Sequence, residues 1–173
     1  MHGLSAPPMK SVAKPTDREQ MVKIADFTAR SMKGPFPTPF GSSIVSTKEG
    51  TLLARQVNHG RQNLDPTAHA EVHVIRAACR KIKSMSLQGY TLYSTCEPCP
   101  MCMAAILWAR LDRVIYGATI SDASKYCFQI YTSAKQLVKK SDLVCEVVGP
   151  VERARCVELF EASPMRRRAI PTQ

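Results

Sequence analysis

Two short stretches, His69-Ala70-Glu71 and Pro98-Cys99-Pro100-Met101-Cys102, decide how this chain is read. Together they offer one imidazole, two thiols and a carboxylate. A zinc ion that keeps one coordination position open for water takes three protein ligands, and one nitrogen with two sulfurs is an established set. On that reading His69, Cys99 and Cys102 hold Zn2+, one ion per subunit, and Glu71 carries protons beside it. Taken singly, each residue has a plainer role: His69 suits a helix cap or a satisfied core position, and Glu71 suits the first turn of a helix. Cys96 extends the run to Cys-x-x-Cys-x-x-Cys, which fits a Cys-only zinc or iron-sulfur site but leaves His69-Ala70-Glu71 unexplained.

Outward from these stretches the chain alternates helix and strand. Asp65-Pro66-Thr67 opens a helix with apolar positions at Ala70, Val72, Val74, Ile75, Ala78 and Cys79, so it starts close to His69. Residues 90–95 form a β-branched and aromatic strand, Pro98 and Pro100 break it, and 101–110 read as a buried helix starting at the cysteines. Both motifs then lie at helix N-termini, where Cys99 and Cys102, three apart, face the same way. The positive end of each helix favours thiolate over thiol.

Upstream, Thr16-Asp17-Arg18-Glu19 fits a capping box, and Met21, Val22, Ile24, Ala25 and Phe27 supply an apolar helical face running to about Met32. Residues 43–46 and 51–54 read as a hairpin turned at Lys48-Glu49-Gly50, with 58–66 irregular. Downstream, 114–118 is a strand, 134–140 and 151–161 are helices, and 144–148 is an edge strand. Strands separated by helices, without internal repeats, predict a layered α/β domain with helices on both faces of a sheet.

The 173 residues suit one domain, 16–163, between an N-terminal arm, 1–15, and a basic tail, 164–173. No apolar run approaches the ~20 residues that span a bilayer, so no membrane role is expected. Seven cysteines, three of them between 96 and 102, suit metal ligation in a reducing compartment, and a cytoplasmic location is expected. The net charge of +10 includes Arg76, Arg80, Lys81, Lys83, Lys139, Lys140 and the run Arg166-Arg167-Arg168. Such a balance admits RNA contact, but no aromatic residues interleave with the charges, and solvated faces account for it as well.

Pro39-Phe40-Gly41, Asn58, Asp65-Pro66-Thr67-Ala68-His69-Ala70-Glu71, Cys96-Glu97-Pro98-Cys99-Pro100-Met101-Cys102 and Ile106-Leu107-Trp108-Ala109-Arg110 span roughly half the chain. Through them the sequence resembles the cytidine-deaminase-like superfamily, whose signature is H-x-E followed by P-C-x-x-C. It is most similar to the branch of small guanine deaminases and tRNA adenosine deaminases, and Cys-Glu-Pro-Cys-Pro-Met-Cys, Trp108 and Pro39-Phe40-Gly41 lean toward the guanine side.

The resemblance implies a three-layer α/β/α sandwich around a mixed five-stranded sheet, assembled as a homodimer with each active site near the interface. It also implies that Asn58 and the backbone N–H of Ala70 hold the base while Phe40 and Trp108 wall the pocket. From the residues alone, Asn58 is also a loop-turning residue and Trp108 core packing. Guanine deaminases of this type carry an acidic pair after a phenylalanine beyond the last core strand, where this chain has Gln129 and Ile130 after Phe128. The tRNA enzymes carry a Gly-rich stretch and a small residue where this chain has 121–126 and Trp108.

The function expected is zinc-dependent hydrolytic replacement of an exocyclic amine by a carbonyl, with release of ammonia. The substrate expected is a small nucleobase or nucleoside, a guanine-like purine favoured, which places the enzyme in purine metabolism. Two alternatives stand beside it: conversion of adenosine to inosine in tRNA, and a zinc-stabilised binding domain without turnover.

Overall fold

The computed structural model describes residues 13–165. The expected tail run, Arg166 to Arg168, lies outside the described residues, as does all but the end of the expected arm. In chain order the elements are α1 (Pro15–Ser31), β1 (Gly41–Ser46), β2 (Leu52–Val57), α2 (Gly60–Asn63), α3 (Ala70–Ile82) and β3 (Tyr90–Cys96). They continue with α4 (Pro100–Trp108), β4 (Arg113–Ala118), α5 (Ile120–Ala123), α6 (Ala134–Lys139), β5 (Glu146–Val148) and α7 (Arg153–Ala162).

The strands form one sheet in the order β2-β1-β3-β4-β5. β1 is antiparallel to β2 and β3, whereas β3–β4 and β4–β5 are parallel, so the sheet is mixed. The period of two along a strand divides each apolar pair between opposite faces. Ile44, Leu92, Val114 and Val147 enter one core with Val74, Ile75 and Ala78 of α3, Met103, Ile106 and Leu107 of α4, and Ala134 of α6. Their neighbours Val45, Tyr93, Ile115 and Val148 enter the other, with Met21, Ile24 and Ala25 of α1, Ala123 of α5, and Cys156, Leu159 and Phe160 of α7. The result is the expected helix–sheet–helix sandwich. Among the described residues no helix is long and apolar enough to cross a membrane.

Local boundaries differ from the sequence reading for identifiable reasons. The expected capping box at Thr16 is not formed: α1 starts at Pro15, whose fixed φ and missing N–H suit a first helical position. Asp17 is drawn inside instead. It accepts from the Lys14 backbone N–H at 2.7 Å, from the Tyr93 hydroxyl at 2.7 Å and from Arg113 at 3.1 and 3.2 Å. Asp65 closes a turn by accepting from the Thr67 N–H at 2.8 Å, and α3 opens at Ala70 with His69 as its N-cap, close to His69 as the sequence predicts. The four-residue helices α2 and α5 are too short to leave a periodic signal and went unread.

A paired helix end as candidate metal centre

Both motifs arrive where their helices begin. His69 is the N-cap of α3 with φ −64° and ψ 154°, and Cys99 is the N-cap of α4 with φ −64° and ψ 167°, followed by Pro100 at the first helical position. Neither side chain caps its own helix. That disposes of the capping reading of His69: its Nδ1 points instead at two sulfurs, 3.7 Å from Cys99 Sγ and 3.4 Å from Cys102 Sγ.

The donor atoms of His69, Cys99 and Cys102 all lie within 4.8 Å of one another. Tetrahedral zinc with Zn–S about 2.3 Å and Zn–N about 2.0 Å sets a nitrogen and a sulfur donor roughly 3.6 Å apart, so the spacing and chemistry of this set fit that ion. Cys96 does not join the cluster. It is buried at the end of β3 and lines the adjacent cavity, so the Cys-only reading is set aside.

Glu71, in the first turn of α3, is 6% exposed. Its Oε1 accepts from the Ser94 hydroxyl at 3.1 Å, and its Oε2 accepts from Cys102 Sγ at 3.5 Å. Burial pushes its carboxyl above the usual range, beyond what nearby donors and the His69 charge offset. A hydrogen bond from Cys102, with His69 alongside, outweighs burial and brings the Cys99 thiol down to about 4. The same bond, together with burial, drives the Cys102 thiol upward. The His69 imidazole is raised chiefly by its hydrogen bond to Cys99.

The cluster opens on a cavity of about 320 Å3 lined by Phe40, Asn58, His69, Glu71, Cys96, Glu97, Cys99 and the run 127–130. Phe40 is set there by Thr95, which accepts from the Gly41 N–H at 3.0 Å and donates to the Pro39 carbonyl at 2.9 Å. Gly41 is required at that point, since a Cβ there would lie 1.9 Å from the Thr28 hydroxyl. Asn58 lines the cavity, and its Oδ1 accepts from the Gly60 N–H at 2.8 Å and shapes the loop. Ala70 is buried as the first residue of α3, where a helix N–H has no intrahelical partner.

Trp108 is the exception. It stands 77% exposed at the end of α4, away from the cavity lining, so in the single chain it neither walls the pocket nor packs the core. Two residues of the site were missed from sequence: Ser94, which donates to Glu71, and Glu97, which lines the cavity. The alternation of Leu92, Ser94 and Cys96 along β3 was the only available hint for Ser94.

A family model described as the cytidine and deoxycytidylate deaminase zinc-binding region matches residues 15–118. The chain belongs to that family. Among relatives of this family member, the guanine deaminase of Bacillus subtilis is 42% identical over 104 residues, 60% of this chain and 65% of that protein. The tRNA-specific adenosine deaminase of Agrobacterium fabrum is 42% identical over 59% of this chain and 66% of its own. The chain thus spans just under two-thirds of these two relatives. The tRNA-specific adenosine deaminase of Buchnera aphidicola is 31% identical over 88% of this chain and 91% of its own.

A solved structure from work on tRNA:A34 deaminases superposes with a TM-score of 0.68 at 31% identity, covering 82% of this chain and 99% of that one. The guanine deaminase of Nitrosomonas europaea superposes with a TM-score of 0.76 over 93% of this chain and 94% of its own, and at 18% identity it supports the fold alone.

Proposed function

We propose that this protein is a zinc-dependent hydrolytic deaminase that replaces the exocyclic amine of a purine-type nucleobase or nucleoside by a carbonyl. One observation carries the reading: a His-Cys-Cys donor set within 4.8 Å, with the Glu71 carboxylate buried beside it, faces a cavity sized for one heterocycle. When bound, zinc supplies a Lewis acid that makes a water molecule acidic near neutral pH.

Every other role falls to this chain's residues. Glu71 takes the proton of the attacking water and returns protons to the ring nitrogen and the leaving amine. Ser94 fixes one carboxylate oxygen so that the other faces the reacting atoms. Asn58 and the Ala70 N–H hold the base edge while Phe40 flanks its ring. Ammonia leaves. A zinc-stabilised domain without turnover is the weaker reading, because a purely structural site gains more from a fourth protein ligand than from a cavity with a buried carboxylate.

Two substrate readings follow. A guanine-like base is favoured by the 42% identity to the Bacillus enzyme, whereas adenosine in tRNA is favoured by the near full-length match to the Buchnera protein and by the charge of +10. Ammonia release from guanine, adenine, cytosine and their nucleosides, beside inosine formation in an anticodon stem-loop RNA, separates them. Turnover of free base alone selects the first reading, and inosine in RNA selects the second. Silence of the zinc-loaded protein across the panel overturns both. The expected homodimer belongs to the same proposal, with the exposed Trp108 end of α4 as the face to be covered, and sedimentation of the whole chain tests it.

A further inference from the structure

We infer that Glu97 is the positioning residue that sets the shape of the cavity's outer wall, and through it the choice of substrate. That wall is the run Cys127-Phe128-Gln129-Ile130, which lies between α5 and α6 and lines the same cavity as the metal cluster. Phe128 is half exposed and Ile130 more so, in contrast to the buried helix starts on either side of them.

The ends of the segment are held better. Ile120 and Ala134, the first residues of α5 and α6, are both buried, and both turn their backbone N–H toward one side chain. Glu97 Oε2 accepts from Ile120 N at 3.3 Å and Oε1 accepts from Ala134 N at 3.1 Å. A single carboxylate therefore bridges the two ends of a 13-residue span, 121–133, with the cavity-lining run 127–130 between them.

Glu97 is itself 8% exposed and sits two residues before Cys99 in the loop joining β3 to α4. It couples the wall to the metal loop rather than to the bulk of either core. No neutral residue replaces it: an amide offers one acceptor oxygen, so glutamine satisfies one helix end and sets an N–H2 donor against the other N–H. Aspartate, a methylene shorter, keeps the charge but reaches less far. Further anchors lie at both ends of the span: Arg153 pairs with Asp122 at 2.6 Å, Tyr126 stacks on Phe160 with centroids 5.5 Å apart, and the Ser133 N–H donates to Gln136 Oε1 at 2.8 Å in the cap of α6. Glu97 alone joins the two ends to each other, so its loss is expected to loosen chiefly the stretch between them, from 127 to 133.

The inference rests on the cavity being the substrate site proposed above, and two variants of the zinc-loaded chain test it. Glu97→Gln removes one acceptor. Ala134→Pro removes the N–H at the other end of the same bond, at a first helical position where proline is well tolerated, and Ser133 before it already has φ −69° and ψ 154°. In both variants backbone amides of 127–133 are expected to exchange with solvent about tenfold faster, while those of α3 and α4 are unchanged and zinc stays at one per chain.

With the base that the wild type turns over fastest, KM rises about tenfold and kcat stays within about threefold, the scale of one charge-assisted hydrogen bond. Unchanged exchange across 127–133 in both variants overturns the inference, as does a lowered melting temperature with KM unmoved. An effect of Glu97→Gln without any from Ala134→Pro rejects the two-ended clamp. If Glu97→Gln does not fold, Ala134→Pro decides alone. A wild type silent on every substrate defeats the proposed function, whereas the exchange comparison still decides the clamp.

Discussion

The metal cradle and the cavity wall at 127–130 are built on different principles. The cradle comes from two helix N-termini whose caps, His69 and Cys99, are spared from capping and meet at Cys102, with Glu71 and Ser94 behind them. Its geometry is set by helix starts and by strand β3, all packed into the core. The wall at 127–130 belongs to no helix or strand and is half exposed, fastened at its ends. The contrast teaches that the chemistry is written into rigid elements, and, on the inference above, that substrate choice is left to a segment that can vary without disturbing them.

The sharpest way to break the comparison is to remove a cradle sulfur. Cys102→Ala is expected to abolish stoichiometric zinc, measured by metal analysis of purified protein, and with it all turnover, because two donors do not retain the ion. It should also lower the melting temperature, since metal binding and folding are linked. Unchanged zinc content would reassign the ligands.

Glu71→Gln separates holding the metal from using it. Zinc content and fold should persist while kcat falls by about 10²–10⁴-fold, the usual range for a lost proton carrier. Intact activity would remove Glu71 from the mechanism.

These two motifs were legible in sequence because a metal demands particular atoms at fixed spacing, and helix starts supply that spacing. Strands β1, β3, β4 and β5 were legible because each places consecutive apolar residues in opposite cores, as Leu92 and Tyr93 do. The α1 start was misread because Thr16 had the right residue type for a cap, whereas the outcome depended on Asp17 meeting Arg113, 96 residues away. Glu97 was hidden for a similar reason: its partners are backbone N–H groups 23 and 37 residues downstream, which carry no residue signature. Trp108 was read as a pocket wall from resemblance, and the single chain leaves it on the surface.

A third prediction probes the sheet that carries Ser94 toward the cradle and its neighbour Tyr93 away from it. Burial opposes the charge on Asp17, but hydrogen bonds from Arg113, the Lys14 N–H and Tyr93 outweigh it and hold its carboxyl below the ordinary 3.8. A carboxyl whose folded value is depressed contributes stability that is fully present above the unfolded value and is lost as pH falls through the folded one. Denaturant unfolding of the wild type should therefore weaken progressively below about pH 4. Asp17→Asn should cost about 3 kcal/mol at neutral pH, because it leaves Arg113 with Glu146 alone, and should flatten that acid limb. Zinc affinity is expected to change little, since the pair lies on the opposite face of the sheet from the cradle.

The smallest effect on stability, and the most informative about substrate, should come from the wall. Gln129 lines the cavity and its Nε2 donates to Cys127 Sγ at 3.1 Å, so its amide is oriented rather than free to rotate. Gln129→Ala removes that group without touching either helix end or any donor of the cradle. Because the side chain is partly exposed, unfolding free energy should stay within about 0.5 kcal/mol of wild type. Zinc content should be unchanged and kcat on the best substrate largely retained. What should move is discrimination: the ratio of kcat/KM for the two best substrates should shift by about three- to tenfold, the scale of one neutral hydrogen bond. A cradle substitution cannot imitate this result, because it lowers every substrate together. If the ratio stays constant while all rates fall, the wall shares in the chemistry and the division between the two regions is wrong.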